Sequence, residues 1–223
     1  MEKPHSEPEI ILLKKFPDAK KFIKIYLNAE DFLHNKKRFC LWLADATPSE
    51  IKKIPPIFDR VKKVQEFREK SSAAPTRKSA ETPQNFFSST QGEENYIVIP
   101  RVSSERRKYI PIDFVEKNII ASDALSIIPN AELFHFGILS SSVHMAWTKT
   151  VCGRLESRIR YSGSVVYNNF VWCECSEVQR KKIEQTAQNI LDCRKKYPDA
   201  SLADLYDPTL MPKDLRDAHK KMI

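Results

Sequence analysis

Glycine is scarce in this sequence, with four in 223 residues. A phosphate-cradling loop or dinucleotide fingerprint needs several glycines at fixed spacing, and neither pattern occurs. There is no HExxH helix and no nucleophile elbow, so the hydrolase and nucleotide-binding classes built on those motifs are excluded. Cysteine is sparse and odd in number, at Cys40, Cys152, Cys173, Cys175 and Cys193, with no CxxC pair. That argues against a disulfide framework and against a four-ligand zinc site. Cys173-Glu174-Cys175 has no second ligand pair beside it and reads as strand-end packing, so no metal is expected. Long apolar runs are also lacking. Nothing approaches the roughly 18 residues of a membrane span, and the opening Met1-Glu2-Lys3-Pro4-His5-Ser6-Glu7 has no apolar signal core. The expectation is a cytoplasmic protein with no membrane partner.

What is present is a core-forming composition, 41% hydrophobic, with a net charge of +8. That length and apolar content suit one ordinary domain with an appendage, or two small ones. The charge is uneven. Residues 52–108 carry 13 basic against 7 acidic side chains, whereas the stretches 1–51 (9 against 8) and 109–223 (15 against 14) are nearly balanced. A localised basic surface attracts a polyanion through phosphate neutralisation and counterion release, which points to nucleic acid.

The apolar spacing predicts a helix carrying Phe22, Ile23, Tyr26, Leu27 and residues 29–33, then a short buried strand at Phe39-Cys40-Leu41-Trp42-Leu43. Thr47-Pro48-Ser49-Glu50 supplies a capping hydroxyl, a first-turn proline and an acid, a helix start. Beyond Pro55-Pro56, Ile57, Val61, Val64 and Phe67 predict an amphipathic helix through Arg68. Residues 71–95 have no period and read as an irregular crossing. Strands are expected at Tyr96–Pro100 with Tyr109–Ile112 as its hairpin partner, at Glu132–Phe136 and at Val165–Phe170, with a helix between the last two from about Ser140 to Val151. Ile183, Ala187, Ile190 and Leu191, and then Leu215, Ala218 and Met222, mark helices at the end. The fold class expected is α+β, with a helical connector, a central mixed sheet and C-terminal helices.

Two tracts carry chemistry. Arg101-Val102-Ser103-Ser104-Glu105-Arg106-Arg107-Lys108-Tyr109 gathers hydroxyls and guanidiniums at one end of a sheet, where they reach phosphates or base edges. In Gly153-Arg154-Leu155-Glu156-Ser157-Arg158-Ile159-Arg160, an extended backbone puts Glu156, Arg158 and Arg160 on one side. An acid that accepts from a cytosine amino group beside an arginine that donates to guanine reads one base pair. On spacing alone, a solvated turn and a cross-strand ion pair stay open as readings of the two tracts. His135 and His144, which bracket Ser140, Ser141 and Ser142, read as core or capping residues with no catalytic motif around them. Phe134, Phe136, Trp147, Tyr167 and Trp172 read as core.

Taken in order, the blocks Tyr96–Arg107, His135–Trp147, Gly153-Arg154-Leu155 with Arg160-Tyr161-Ser162, and Tyr167-Asn168-Asn169-Phe170 resemble the target-recognition region of the MmeI-like DNA methyltransferases. These are bacterial single-chain restriction-modification enzymes. Lys37–Leu43 and Val64–Arg68 resemble the segment that follows the catalytic domain in that family. One departure is Phe170-Val171-Trp172, where the family pattern leads to proline after phenylalanine.

The resemblance implies sequence-specific binding of double-stranded DNA, with adenine methylated by a methyltransferase domain elsewhere in the same polypeptide. By position, Glu156 and Arg158 look like a base-reading pair. Ser103, Ser104, Arg106 and Arg107 look like DNA contacts, joined by Arg160 and, in the Pro75-Thr76-Arg77 loop, Arg77. The division implied is a helical connector over 1–74 following the methyltransferase domain, a recognition domain over 75–175 and a helical segment over 176–223. S-adenosylmethionine belongs to the parent enzyme. This chain has neither a glycine-bearing cofactor loop nor an Asn/Asp-Pro-Pro-Tyr/Phe tetrapeptide, so no catalytic residue and no cofactor is expected in it. A stand-alone nucleic-acid-binding module and a protein-interaction adaptor remain the alternatives.

Overall fold

The computed structural model describes residues 12–87, 91–92 and 94–222. They fall into two compact units, one made of residues 12–26 and 37–87, the other of 27–36 and the residues from 91 onward.

In the first unit β1 (Ile23–Leu27) and β2 (Arg38–Leu41) form an antiparallel ladder with Ile23 opposite Leu41 and Ile25 opposite Phe39. The helix expected over 22–27 is therefore a strand. Ile23 and Ile25 are β-branched and stiff at χ1, and a pleated surface suits them better than a helical turn. Farther on, Thr47 caps the short helix Pro48–Lys52 in a reciprocal capping box with Glu50. The long helix Pro55–Glu69 follows as the proline pair predicts. Ala19, Phe22, Leu43, Ile51, Ile54 and Ile57 form this unit's core. Within the stretch expected to be irregular, residues 74–81 form a short helix Ala74–Lys78 and a 3₁₀ turn Ser79–Glu81. Arg68 explains part of it. Its guanidinium donates to the carbonyls of Ser79 (2.9 Å), Thr82 (3.1 Å) and Asn85 (2.8 Å), ordering backbone that has no ladder of its own.

The second unit is built on the strand β3 (Tyr96–Pro100), buried along its whole length. It lies between β5 (Asp113–Val115) and β7 (Leu125–Pro129), antiparallel to both, with the two-residue β6 (Ile120–Ala121) between these in sequence. Successive side chains go to opposite faces. Ile97 and Ile99 enter a large core with Phe136, Leu139, Ile190 and Leu215, while Tyr96 and Val98 pack with Phe32, Val115 and Leu125. The partner of β3 is thus Asp113–Val115 and not Tyr109–Ile112. Pro111 has no N–H to give a ladder, and Tyr109, Ile110 and Ile112 are drawn into the large core instead.

Residues 132–136 form no strand. Leu133–Leu139 is a helix whose start is held by Glu132 and His135. A continuous apolar run bears no period that separates a buried helix from a buried strand, and here close packing decides. A Cβ on Gly137 would stand 2.9 Å from Ile183 Cγ2 and 3.3 Å from Ala187 Cβ, so this helix and Glu177–Lys195 meet only because the residue is glycine. The expected strand at 165–170 is a wide helical turn, Gly163–Tyr167, in which Asn168 N–H bonds to Gly163 O at 2.9 Å. Trp147 Nε1 takes the Val166 carbonyl and Asn169 Nδ2 the Ser164 carbonyl, removing acceptors that a ladder needs. The helices Ser142–Val151, Glu177–Lys195 and Lys213–Lys220 fall where periodicity places them. Small sheets, antiparallel in the pairings described, with segregated helices make the fold α+β. No helix among the described residues is long and apolar enough to cross a membrane.

Candidate nucleic-acid interface

The two basic tracts meet in a third sheet. β9 (Arg158–Arg160) lies between β4 (Val102–Ser103) and β8 (Gly153–Leu155), with Val102 opposite Arg160, Ser103 opposite Ile159 and Leu155 opposite Arg158. Residues far apart in sequence thus share one small sheet. Ile159 is fully buried and anchors it, while Arg158 and Arg160, on either side of Ile159, are both exposed on the opposite face.

The β8–β9 connection is a two-residue hairpin turn, Glu156-Ser157. Glu156 has φ of 56°, a left-handed conformation uncommon outside glycine, asparagine and aspartate. It is therefore not extended as the alternation assumed. Its carboxylate nonetheless turns back onto Arg158, Oε2 to Nη2 at 2.9 Å, with both side chains open to solvent. An exposed pair of this kind contributes little to stability and leaves acid and guanidinium edges available to a ligand.

On the neighbouring tract, Ser104 organises a turn in which its hydroxyl accepts from Arg106 N–H (3.2 Å) and its carbonyl from Arg107 N–H (3.2 Å). Arg106 is exposed and Arg107 half-buried. Burial pulls the Arg107 guanidinium below its ordinary pKa, with the Asp207 carboxylate acting against that pull. The Arg107 Nε is buried without a protein partner, as is the Ser103 hydroxyl. Ser103 lies on the inward face with Ile159 and is only 3% exposed, so the structure does not bring it to the surface with the others. Arg77 belongs to the other unit. It donates to the carbonyls of Ser71 (2.9 Å) and Ser72 (2.7 Å), which engages it in local chain closure.

Behind the sheet, Tyr161 N–H bonds to Arg101 O (2.8 Å) and the Tyr161 hydroxyl to His144 Nε2 (3.1 Å). Burial holds His144 down to about 4, so the ring is neutral. His135 Nδ1 accepts from Glu132 N–H and packs edge-on against Trp172. Both histidines are structural in these contacts. One neighbour went unnoticed in the sequence. Arg154 donates to Lys149 O at 3.1 Å on the same sheet. In the sequence it is visible only as one more arginine of the tract.

The residues here do not fit S-adenosylmethionine. None of the glycines has the positive φ of a tight cofactor loop, and the Gly137 backbone is closed off by Ile183, Met222 and Ala187. A cavity of about 800 Å³ in the first unit is lined by charged side chains, among them Lys20, Lys21 and Glu50, around Phe16 and Phe22. No cluster of three or more metal-binding side chains occurs among the described residues.

Comparison with known proteins gives these features a context. Residues 5–174 match the family model described as MmeI, target recognition domain, and residues 175–222 match that of the MmeI C-terminal domain. DNA methyltransferase A of Bacillus subtilis (strain 168) is 37% identical over 210 residues, covering 94% of this chain and 24% of that protein. A solved structure of the type IIL restriction-modification enzyme MmeI in complex with DNA is 47% identical. It superposes with a TM-score of 0.94 over 98% of this chain and 29% of that one. The chain spans about a quarter of the length of these relatives.

Proposed function

The chain belongs to the MmeI target recognition domain family, and on that premise we propose that it supplies sequence-specific recognition of double-stranded DNA. Its setting is an adenine DNA methyltransferase of a restriction-modification system. The methyl donor, S-adenosylmethionine, and the transfer step belong to the methyltransferase domain of the parent polypeptide; the residues here bind and orient the duplex.

The observation that carries this reading is the sheet in which Val102 and Ser103 pair with Arg160 and Ile159. It sets the Ser104–Arg107 turn beside the Glu156-Ser157 hairpin, with Arg106, Arg158 and Arg160 left exposed. Exposed guanidiniums gathered on one small sheet and its adjoining turn suit a duplex, because each phosphate contact releases condensed counterions. Within it, the exposed Glu156–Arg158 pair has the donor and acceptor edges that read one G·C pair in the major groove. Arg106, Arg107 and Arg160 act as contacts to backbone or base, and Ser104 shapes the turn that presents the first two. Ser103, which is buried, and Arg77, which is engaged with the Ser71 and Ser72 carbonyls, are weaker members of the set.

Equilibrium binding of the purified protein to duplex DNA over a series of salt concentrations tests the proposal. A steep fall in affinity with salt and enrichment of a defined sequence from a mixed pool are expected. Salt-independent binding, or binding with no sequence enriched, contradicts it.

A further inference from the structure

Along β9 the side chains alternate. Arg158 and Arg160 are exposed, whereas Ile159 and Tyr161, the residue that follows the strand, are buried. Tyr161 fastens the end of the strand in two directions. Its N–H donates to Arg101 O (2.8 Å), and Arg101 N–H in turn donates to Ala124 O (3.0 Å), just before β7. Its hydroxyl meets His144 Nε2 at 3.1 Å. The strand end that carries Arg160 is thereby tied by its backbone to the central sheet and by its side chain to the helix Ser142–Val151.

His144 is itself held on two sides. Its N–H donates to the Ser141 hydroxyl (3.0 Å), and the Phe170 ring meets its imidazole edge-on at 4.7 Å between centroids. His144 is 3% exposed and Tyr161 2%, so water does not compete for the bond between them. We propose that Tyr161, seated on His144, is a positioning residue that sets the aim of Arg158 and Arg160 toward DNA. This inference rests on the DNA-recognition reading above.

Two observations support it. The strands concerned are short, three residues in β9 and two in β4, and a ladder of that length does little to fix its own twist. A rigid point at its end is what gives the arginines a direction. The arrangement also recurs behind the other tract. Tyr109 follows Lys108 as Tyr161 follows Arg160, and its ring stacks on the buried His219 imidazole at 4.2 Å between centroids. His219 Nδ1 meets Ser140 O at 3.1 Å, so the two histidines are tied to adjacent residues, Ser140 and Ser141. A tyrosine on a buried histidine thus closes each basic tract, and both rest on one helix junction. A guanidinium aimed in advance loses less rotamer freedom on binding than a free one.

Tyr161→Phe removes the hydroxyl, keeps the buried ring and leaves every charge in place. Wild type and variant, each checked for folding by circular dichroism, would be incubated with short duplexes randomised at the centre, and the bound DNA sequenced. Affinity for an unselected duplex would be measured alongside over a salt series. Enrichment is expected to fall about tenfold at the base pair read by Arg158, the loss of one well-aimed contact, with unselected affinity and its salt slope unchanged. A hydroxyl that only stabilised the fold would not give this split. Enrichment equal to wild type in the folded variant, or a parallel fall in enrichment and unselected affinity, overturns the proposal. His144→Phe breaks the same bond from the other side while keeping a ring against Phe170. It is expected to give the same split, and it decides the matter if the tyrosine variant does not fold. If wild-type protein enriches nothing, the recognition reading itself fails and this inference falls with it.

Discussion

Ile159 stands opposite Ser103 in the ladder joining β9 to β4, with its side chain fully buried. This single cross-strand pair is the hinge of the functional account, because on either side of it the chain turns outward into guanidiniums. Removing the anchor should therefore loosen both tracts at once. Ile159→Ala is expected to cost about 2–5 kcal/mol in chemical denaturation. It should lower DNA affinity even at temperatures where the protein stays folded, and unaltered affinity in the folded variant would show that the sheet does not set the interface.

Arg106 and Arg158 are predicted to differ in kind. Arg106→Ala should weaken binding to all sequences alike and flatten the salt dependence by about one phosphate contact. Arg158→Ala should relax preference at one base pair, worth about 1–3 kcal/mol, with little change elsewhere. Sequencing of bound duplexes from a randomised pool distinguishes the two patterns.

Glu156 sits in a left-handed conformation that glycine adopts at no steric cost. Glu156→Gly should raise the unfolding free energy in chemical denaturation, by about 0.5–1 kcal/mol at most, while discrimination at the base pair it shares with Arg158 is lost. A variant both destabilised and fully discriminating would show that the residue is held there for the fold alone.

Acid should unfold the second unit in a definite window. Burial pushes His219 down to about 3 and His144 to about 4, both below the ordinary histidine value of 6.5. In the unfolded chain each takes up a proton as pH falls through 6.5, while the folded form stays neutral. Stability is therefore fully present above that pH and is lost progressively below it, by on the order of 1.4 kcal/mol per pH unit for each ring. His219 faces Arg194, Tyr109 and Tyr206, none of which offers a compensating negative charge. His219→Gln should reduce the slope of stability against pH between 6 and 4 in urea titrations. An unchanged slope would place the acid sensitivity elsewhere.

Much of the site was legible from residue order, and the fold only partly. Amphipathic helices with caps or flanking prolines, Pro55–Glu69 and Glu177–Lys195 among them, declare themselves through period and boundary residues. The segments misread were those whose local preferences were overruled by neighbours distant in sequence. Leu133–Leu139 is apolar apart from His135 and buried at five of its seven residues, so its helical period is faint. Gly163–Tyr167 has the β-branched residues of a strand, but Trp147 and Asn169 take its carbonyls. The exposed arginines could be named from their tracts, whereas the burial of Ser103 depends on tertiary packing that no spacing rule encodes.

Backbone amide hydrogen exchange with and without duplex DNA tests the central claim most directly. Added duplex is predicted to slow exchange in 104–108 and in 154–160 together and to the same saturating DNA concentration, because both belong to one face. Protection confined to one tract, or absent from both while DNA is bound, would contradict a shared interface.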